Sequence, residues 1–219
     1  MNRAEFERFS HSLPETPGIY GRDNFFNSAI LVPVLFIDDD CHLLFQKRAS
    51  TIRQGSEICF PGGHFDPELD RSFADTALRE TEEELGLPRD RVRLTGRLDT
   101  VVTPRAVIVE CFVGILDIAD REDLRPDPRE VEEVFTIPLA WFVATKPEIY
   151  HNRIEIQPSY FDAEGNEHIL LPVDKLGLPS HYKERRSEWT HEVAVYRHRR
   201  CTIWGLTAGI ILGMIRKMR

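Results

Sequence analysis

Hydrophobic and polar positions follow two different patterns along this chain. The apolar run "NSAILVPVLFID" predicts a buried strand, within which Pro33 indicates an irregularity or a sheet edge. The runs "HLLFQKR", "RLTGRLDTVVT", "AVIVECFVGILD" and "VEEVFTIP" predict further strands, with "DDDC" as a turn before the first of them. "LAWFVAT" predicts a short helix. Most of the predicted strands therefore lie in the first two thirds of the chain.

One segment has the helical period instead. "FADTALRETEEEL" follows Ser72, a good N-cap residue, and ends at Gly86, a natural C-terminal stop. Its apolar positions fall on one side, which we expect to pack on the sheet: Ala74, Ala77, Leu78, Thr81 and Leu85. The opposite side is predicted to carry three glutamates, Glu80, Glu83 and Glu84.

The last third of the chain predicts a hairpin around "DAEGN", a late strand in "HEVAVYRH" and a helix in "IWGLTAGIILGMI". That helix is too short to span a bilayer, so we expect it to pack in the core, with a membrane-surface helix as the alternative. Trp141 and Trp204 are also expected in the core. The order of elements predicts a mixed α/β domain over residues 1–219, with a core at about 29–150 and a C-terminal extension, 151–219.

Composition narrows the function classes. The formal charge is −8 and no basic run stands out, which argues against broad binding of nucleic acid. The four cysteines form no Cys-x-x-Cys pair, so a structural zinc site is not expected. Free thiols and an N-terminus without an apolar signal segment favour the cytoplasm.

The clustered glutamates invite two interpretations. Like charges at this helical spacing repel by about 0.2–0.5 kcal/mol per pair, so an acidic face exposed to solvent would cost the helix little stability. However, Gly62 and Gly63 lie shortly upstream, and glycines let backbone approach a ligand closely. Clustered carboxylates are the oxygen ligands that Mg²⁺ or Mn²⁺ prefers. Arg79, beside them, can hold a carboxylate through a bidentate pair.

The stretch from Gly63 to Leu87 resembles the signature of the Nudix hydrolase family, Gly-x5-Glu-x7-Arg-Glu-U-x-Glu-Glu-x-Gly-U, where U is apolar. The second half matches through "RETEEELGL", except that Thr81 takes an apolar position. In the first half, the motif glutamate falls on Arg71. Using Gly63 as the motif glycine requires two extra residues, and Glu68 or Asp70 is then the candidate replacement carboxylate.

A narrower resemblance points to the coenzyme A diphosphatase branch of that family. "LLFQKRASTIRQGSEICFPGG" is similar to the segment that precedes the Nudix signature in that branch, with Arg48 and Arg53 at its arginine positions. "EVEEVFTIPL" and "IWGLTAGI" resemble two later segments of the same branch. The resemblance implies a Nudix-type α/β/α sandwich with a mixed sheet.

The same resemblance implies the chemistry. Glu80, Glu83, Glu84 and the Gly63 carbonyl would bind Mg²⁺ or Mn²⁺, and Glu83 or Glu84 would orient or deprotonate the attacking water while Arg79 holds the site together. The substrate would be coenzyme A or acyl-CoA, cleaved to 3′,5′-ADP and 4′-phosphopantetheine. The cationic partners for the 3′-phosphate would be Arg48 and Arg53. A further base or ligand is expected downstream, with these candidates: Glu130, Glu132 and Glu133.

Three alternatives stay open at this stage. The same chemistry could act on ADP-ribose, a dinucleotide or a nucleoside triphosphate. A Nudix-fold module could sense a nucleotide without turning it over, although the intact core glutamates argue against it. The C-terminal helix could bind a membrane surface. The family resemblance also allows a homodimer with a small nucleotide-type substrate as its ligand.

Overall fold

The computed structural model describes residues 2–52 and 54–218, with Glu188 described by its backbone alone. The helices are α1 (Arg3–His11), α2 (Phe73–Leu85), α3 (Leu139–Ala144) and α4 (Gly205–Lys217). The first eight strands are β1 (Phe26–Ile37), β2 (Asp40–Arg48), β3 (Ile58–Cys59), β4 (Gly62–His64), β5 (Val92–Arg97), β6 (Val101–Thr103), β7 (Val107–Leu116) and β8 (Val131–Pro138). The later strands are β9 (Glu148–Ile156), β10 (Ser159–Phe161), β11 (Glu167–Ile169), β12 (Arg186–Arg197) and β13 (Thr202–Trp204).

The central sheet is mixed. Its strands run in the order β3-β2-β1-β7-β5, with β4 on β1, β6 on β7 and β8 on β2. The β1–β7 pair is parallel and the other pairs are antiparallel. A long parallel strand pair in the centre needs cover on both faces, which explains the continuous apolar run of β1.

Alternate side chains of β1 serve the two faces of the sheet. Leu31 and Leu35 pack with Ala77 and Leu85 of α2. Val32 and Val34 pack into the opposite cluster with α4, through residues such as Ile211. The predicted α/β/α sandwich is therefore confirmed, and α4 packs in the core as expected. Across the described part of the chain, no helix is long and apolar enough to cross a bilayer.

Pro33 lies in the buried centre of the sheet, so the expectation of an edge is wrong and that of an irregularity is confirmed. β1 pairs with β4 through Ile30 and with β2 only from Val34 onward. The Leu31 amide points to this side, where it donates to the Pro61 carbonyl. Because amides two residues apart in a strand point the same way, the missing N–H of Pro33 falls in the gap between β4 and β2.

The C-terminal part adds a second sheet in the order β13-β12-β9. Its inward side chains, Ala194, Tyr196 and Ile203, belong to the same buried cluster as α4 and β2. Trp141 is half-buried against that cluster. Trp204 is half exposed, so its assignment to the core is wrong. The predicted "DAEGN" hairpin is confirmed as β10–β11, whereas "RIEI" belongs to β9.

Candidate active site

Helix α2 is capped at both ends by local chemistry. The Ser72 hydroxyl accepts from the Asp75 amide, and Gly86 ends the helix in the left-handed region at φ 65°. A side chain at Gly86 would place its Cβ 2.3 Å from the Arg125 carbonyl oxygen, so glycine is required there on two grounds. These ends confirm the predicted bounds of the helix.

Arg79 is the buried centre of the site. Its guanidinium donates to Glu80 at 2.8 Å, to Glu83 at 3.0 Å and to the His64 carbonyl at 3.0 Å. Nε and Nη2 also donate to the two carboxylate oxygens of Asp70, both at 2.9 Å. These bonds, with Asp70 foremost, raise the pKa of Arg79 further above its usual range. The predicted bidentate role of Arg79 is therefore present in the geometry.

Asp70 is the carboxylate that pairs with Arg79 where the signature has its first glutamate. It is buried and also accepts from the Thr76 hydroxyl at 2.9 Å. Hydrogen bonds from Arg79 lower its pKa to about 2, against the cost of burial. Arg71 and Glu68, the other positions considered, are exposed. The carboxylate that pairs with Arg79 is thus Asp70, one residue before the position of the signature glutamate, in the loop that precedes Ser72.

The two glycines of β4 bring backbone into contact with the acidic side of α2. The Gly62 amide donates to Glu84 Oε2 at 2.9 Å. A Cβ added at Gly63 would lie 2.3 Å from the Glu80 carboxyl carbon, and one at Gly62 would lie 2.4 Å from the Ala29 carbonyl oxygen. Glycine at position 63 therefore lets the Glu80 carboxylate lie against the turn, and glycine at position 62 lets the turn lie against β1.

The prediction that the three glutamates share one outer face is wrong. Glu83 is exposed, Glu80 is half-buried and Glu84 is only 2 % exposed. Glu84 lies one turn after Thr81 on the sheet side of the helix, where the Gly62 amide donates to its carboxylate. The three carboxylates therefore lie at increasing depth, from Glu83 at the surface through Glu80 to Glu84 in the interior.

Burial perturbs the ionisation of the inner carboxylates. It raises the pKa of Glu84 to about 7, which the Gly62 amide counteracts only in part. Burial also raises the pKa of Glu80, with the Arg79 guanidinium acting against it. The charges of Glu83 and Glu130 raise the pKa of Glu80 further. Buried carboxylates that repel one another form a place where a cation is favourable.

Arg48 and Gln46 extend this site along β2. Arg48 Nη1 is 3.8 Å from Glu84 Oε1, and its Nε is buried without a hydrogen-bond partner. Gln46 is fully buried, and its amide lies beside Glu84 and Cys59 without a well-formed hydrogen bond to a described residue. It lies opposite Cys59 in the ladder, close enough to Glu84 to affect its pKa. Sequence reasoning missed Gln46, although a polar residue within the apolar run "HLLFQKR" was a visible signal.

The other predicted site residues lie in different parts of the chain and only one of them is close to α2. Arg53 lies outside the described residues. Glu130 is exposed and near enough to Glu80 to raise its pKa. Glu132 is paired with Lys47 at 2.5 Å, and Glu133 is paired with Arg200. The structure therefore brings Glu130 to the acidic side of α2 and commits the other two to surface ion pairs.

The chemistry of the donor set fits a hard divalent cation. Carboxylates on α2 and a carbonyl at Gly63 are oxygen ligands, and the absence of a side chain at Gly63 lets the Glu80 carboxylate lie against this backbone. In residues 2–52 and 54–218, no three His, Cys, Asp or Glu side chains converge closely enough to hold a metal. Arg79 holds Glu80 and Glu83 here, and Gly62 holds Glu84.

Comparison with known proteins identifies a matching family model and two mammalian relatives. Residues 28–158 match the model of the NUDIX domain. The chain is 35% identical over 150 residues to the mitochondrial coenzyme A diphosphatase NUDT8 of Homo sapiens, covering 67% of this chain and 59% of that protein. It is 36% identical over 126 residues to the peroxisomal coenzyme A diphosphatase NUDT7 of Mus musculus, covering 57% and 51%.

A bacterial relative matches over a longer stretch. The chain is 30% identical over 204 residues to the Nudix hydrolase NudL of Photorhabdus laumondii, covering 93% of this chain and 90% of that protein. By contrast, it spans between half and two thirds of the length of the two mammalian proteins. The domain match covers the sheet, α2 and the site built around Arg79. This chain belongs to the NUDIX family.

Proposed function

We propose that this protein is a metal-dependent diphosphatase that hydrolyses coenzyme A or acyl-CoA to 3′,5′-ADP and (acyl-)4′-phosphopantetheine. The observation that carries the chemistry is the contact of the Gly62–Gly63 turn with the carboxylates of Glu80 and Glu84. Membership of the family and the names of two mammalian relatives, both coenzyme A diphosphatases, support the substrate.

The proposed metal ligands are Glu80, Glu83, Glu84 and the Gly63 carbonyl. A bound Mg²⁺ or Mn²⁺ supplies Lewis-acid polarisation of the diphosphate and lowers the pKa of the attacking water. Arg79 positions the carboxylates by holding Glu80 and Glu83 from one guanidinium nitrogen. Glu83 Oε2 accepts from Arg79 and its side chain is exposed, so Oε1 is the atom that we assign to take the proton from water.

We assign recognition of the substrate's 3′-phosphate to two arginines that precede the Gly62–Gly63 turn in the chain. Arg48 is half-buried beside Glu84, and the part of its side chain that solvent reaches supplies a cation for the 3′-phosphate of coenzyme A. The proposal gives Arg53 the same role, and only its charge and its position in the chain support this. Glu130 is the additional base or ligand, since it lies close enough to act on the charge of Glu80.

The proposal also covers the setting of the reaction. Residues 1–219 are treated as one domain, because the core cluster joins the central sheet to β12, β13 and α4. The ligand is a small nucleotide-type molecule, and neither a nucleic acid nor a membrane is a partner. The location is the cytoplasm, and the assembly is a homodimer.

A substrate panel tests the proposal. Coenzyme A, acetyl-CoA, ADP-ribose, NADH, a dinucleoside polyphosphate and dGTP would each be incubated with Mg²⁺ or Mn²⁺, and the products resolved by chromatography. We expect 3′,5′-ADP from coenzyme A, and its loss in Glu83→Gln and Glu84→Gln. Turnover of another substrate instead would retain the diphosphatase and reject the coenzyme A assignment. Absence of any turnover would favour a nucleotide-sensing module.

A further inference from the structure

Arg22 joins an inner strand of the central sheet to the start of α2. It lies in a single 3₁₀ turn, Arg22–Asn24, shortly before β1, and its side chain is largely buried. Its guanidinium donates to the Glu110 carboxylate of β7. The same guanidinium lies 4.8 Å from the centre of the Phe73 ring, which is close enough for a cation–π contact. Phe73 is the first residue of α2, so one side chain contacts both the sheet and the helix.

Glu110 keeps the Arg22 guanidinium in place. It is a carboxylate buried in the sheet, and a buried charge is stable only when it is paired. Arg97 donates to it at 2.6 Å and the Thr100 hydroxyl donates at 2.8 Å, in addition to Arg22. Burial raises the pKa of Glu110, but these hydrogen bonds outweigh burial and lower the pKa below its ordinary value. Glu110 is therefore an ionised and fixed partner for Arg22.

The segment that carries Arg22 is attached to both ends of the loop before α2. We call residues 65–72 the Asp70 loop. At its end, Phe73 contacts both the Arg22 guanidinium and the ring of Phe65, whose centroid is 4.5 Å away. At its start, the Phe65 amide donates to the Asn27 carbonyl at 3.0 Å. The Asn27 side-chain amide donates in turn to the Arg22 carbonyl at 3.1 Å.

The Asp70 loop carries the residue that positions Arg79. Asp70 holds the Arg79 guanidinium, which in turn holds Glu80 and Glu83. Within the loop, the Asp66 amide donates to Asp70 Oδ2 at 3.1 Å, and the Asp70 amide donates to the Asp66 carbonyl at 2.7 Å. A movement of the loop would therefore carry Asp70 away from Arg79.

We propose that Arg22 is a positioning residue for the metal site, which holds the Asp70 loop through Phe73 and so keeps Asp70 at Arg79. Its effect on metal binding rests on the proposed function. Arg22 lies outside residues 28–158, the stretch that matches the NUDIX domain, so the contact comes from the segment before that match. The competing role for Arg22 is to neutralise Glu110 and nothing more.

Arg97 provides a matched control that separates these two roles. Arg97 pairs with the same Glu110 carboxylate, but its guanidinium lies over the ring of Phe112 at 5.3 Å, whereas that of Arg22 lies over Phe73. Arg97→Ala therefore removes a partner of Glu110 without removing a contact to α2. If Arg22 only neutralises Glu110, the alanine variants at the two positions should behave alike.

The first measurement is amide hydrogen exchange in the metal-free full chain. Arg22→Ala should raise the exchange rates of the Phe65 and Asp70 amides by about tenfold or more, because the loop opens more often without its anchor. Arg97→Ala should leave both rates within about twofold of the wild type. Arg22→Lys keeps the charge with a weaker contact to the ring, so its rates should lie between those of the wild type and Arg22→Ala.

The second measurement is Mn²⁺ binding, followed by electron paramagnetic resonance. Residues that orient metal ligands from outside typically change metal affinity by about 10–100-fold when they are replaced. Arg22 acts through other residues, so Arg22→Ala should raise the dissociation constant for Mn²⁺ by about 10-fold, and Arg97→Ala should change it by less than about twofold. Phe73→Leu should resemble Arg22→Ala, and the double variant should bind no more weakly than either single variant, because both act along one path. Thermal unfolding would verify that each variant is folded.

Three results would overturn the proposal. They are loop exchange that Arg22→Ala leaves unchanged, equal effects of Arg22→Ala and Arg97→Ala, and faster loop exchange with an unchanged affinity for Mn²⁺. A wild type that binds no Mn²⁺ would reject the metal site of the proposed function instead. The exchange rates of the two alanine variants would then still decide whether Arg22 holds the Asp70 loop.

Discussion

Asp70 and Arg79 form a buried bidentate ion pair in which two guanidinium nitrogens each lie 2.9 Å from a carboxylate oxygen. The pair joins the loop before α2 to the middle of the helix. Through the same guanidinium it also reaches Glu80 and Glu83. A residue outside the family signature positions the proposed metal ligands in this way.

Asp70→Asn should destabilise the protein by about 3–5 kcal/mol, because it leaves the Arg79 charge buried without its main partner. The measurement is the free energy of unfolding in urea at pH 7. Glu68→Gln is the matched control, since Glu68 is an exposed carboxylate in the same loop and should change stability by less than about 0.5 kcal/mol. Equal effects from the two variants would contradict the assignment of Asp70.

The Asp70 pair also predicts a pH dependence of stability. The pKa of Asp70 falls from 3.8 to about 2 on folding, so its contribution is fully present above pH 3.8. It is lost as the pH falls toward 2, and the shift corresponds to about 2 kcal/mol. The stability difference between wild type and Asp70→Asn should therefore shrink between pH 4 and pH 2. A difference that stays constant over this range would show that the carboxylate charge does not carry the effect.

Glu84→Gln should abolish activity and stabilise the fold at high pH. The pKa of Glu84 is raised from 4.5 to about 7 by burial, so the native state loses stability as the pH rises from 4.5 to 7. Glutamine keeps an acceptor for the Gly62 amide without that charge. In metal-free buffer we expect a gain of up to about 3 kcal/mol at pH 8 and little gain at pH 4. A loss of stability at pH 8 would mean that the charge is compensated in the native state.

Gly63→Ala should reduce coenzyme A hydrolysis by at least about tenfold, because the new Cβ would displace the Glu80 carboxylate from 2.3 Å away. Steady-state kinetics and Mn²⁺ binding by electron paramagnetic resonance would measure the effect. Gly96→Ala is the control, since a Cβ there meets nothing within 4 Å. Full activity in Gly63→Ala would show that close approach at this turn is not needed.

Gln46→Met should lower the rate of hydrolysis without lowering stability. Each buried polar atom without a partner costs about 1–3 kcal/mol, and methionine has a similar shape without those atoms. The amide faces Glu84 and Cys59 in the site, where a bound ligand can satisfy it. The comparison is between kcat/KM and the melting temperature. A variant that is both less stable and fully active would assign Gln46 to the fold alone.

The sequence by itself determined the elements with strong local signals. The period of α2, its Ser72 and Gly86 ends and the apolar run of β1 predicted a mixed α/β domain, because periodicity and capping are local properties. The α/β/α sandwich was implied by the family resemblance. The glycine pair, Arg79 and the three glutamates were also visible as a signature in the chain. These residues lie within about 25 positions of one another, so the signature can be recognised in the sequence without knowledge of tertiary contacts.

Tertiary structure alone decided how those residues are used. Helical period put Glu84 with Glu80 and Glu83, but the packing of α2 against β4 buries Glu84 beside the Gly62 amide, and burial raises its pKa. The sequence offered Glu68 and Asp70 equally, and the loop geometry selected Asp70. The exposure of Trp204 depended on how the second sheet packs on α4. Burial and electrostatics arise from contacts between distant segments, which no local pattern specifies.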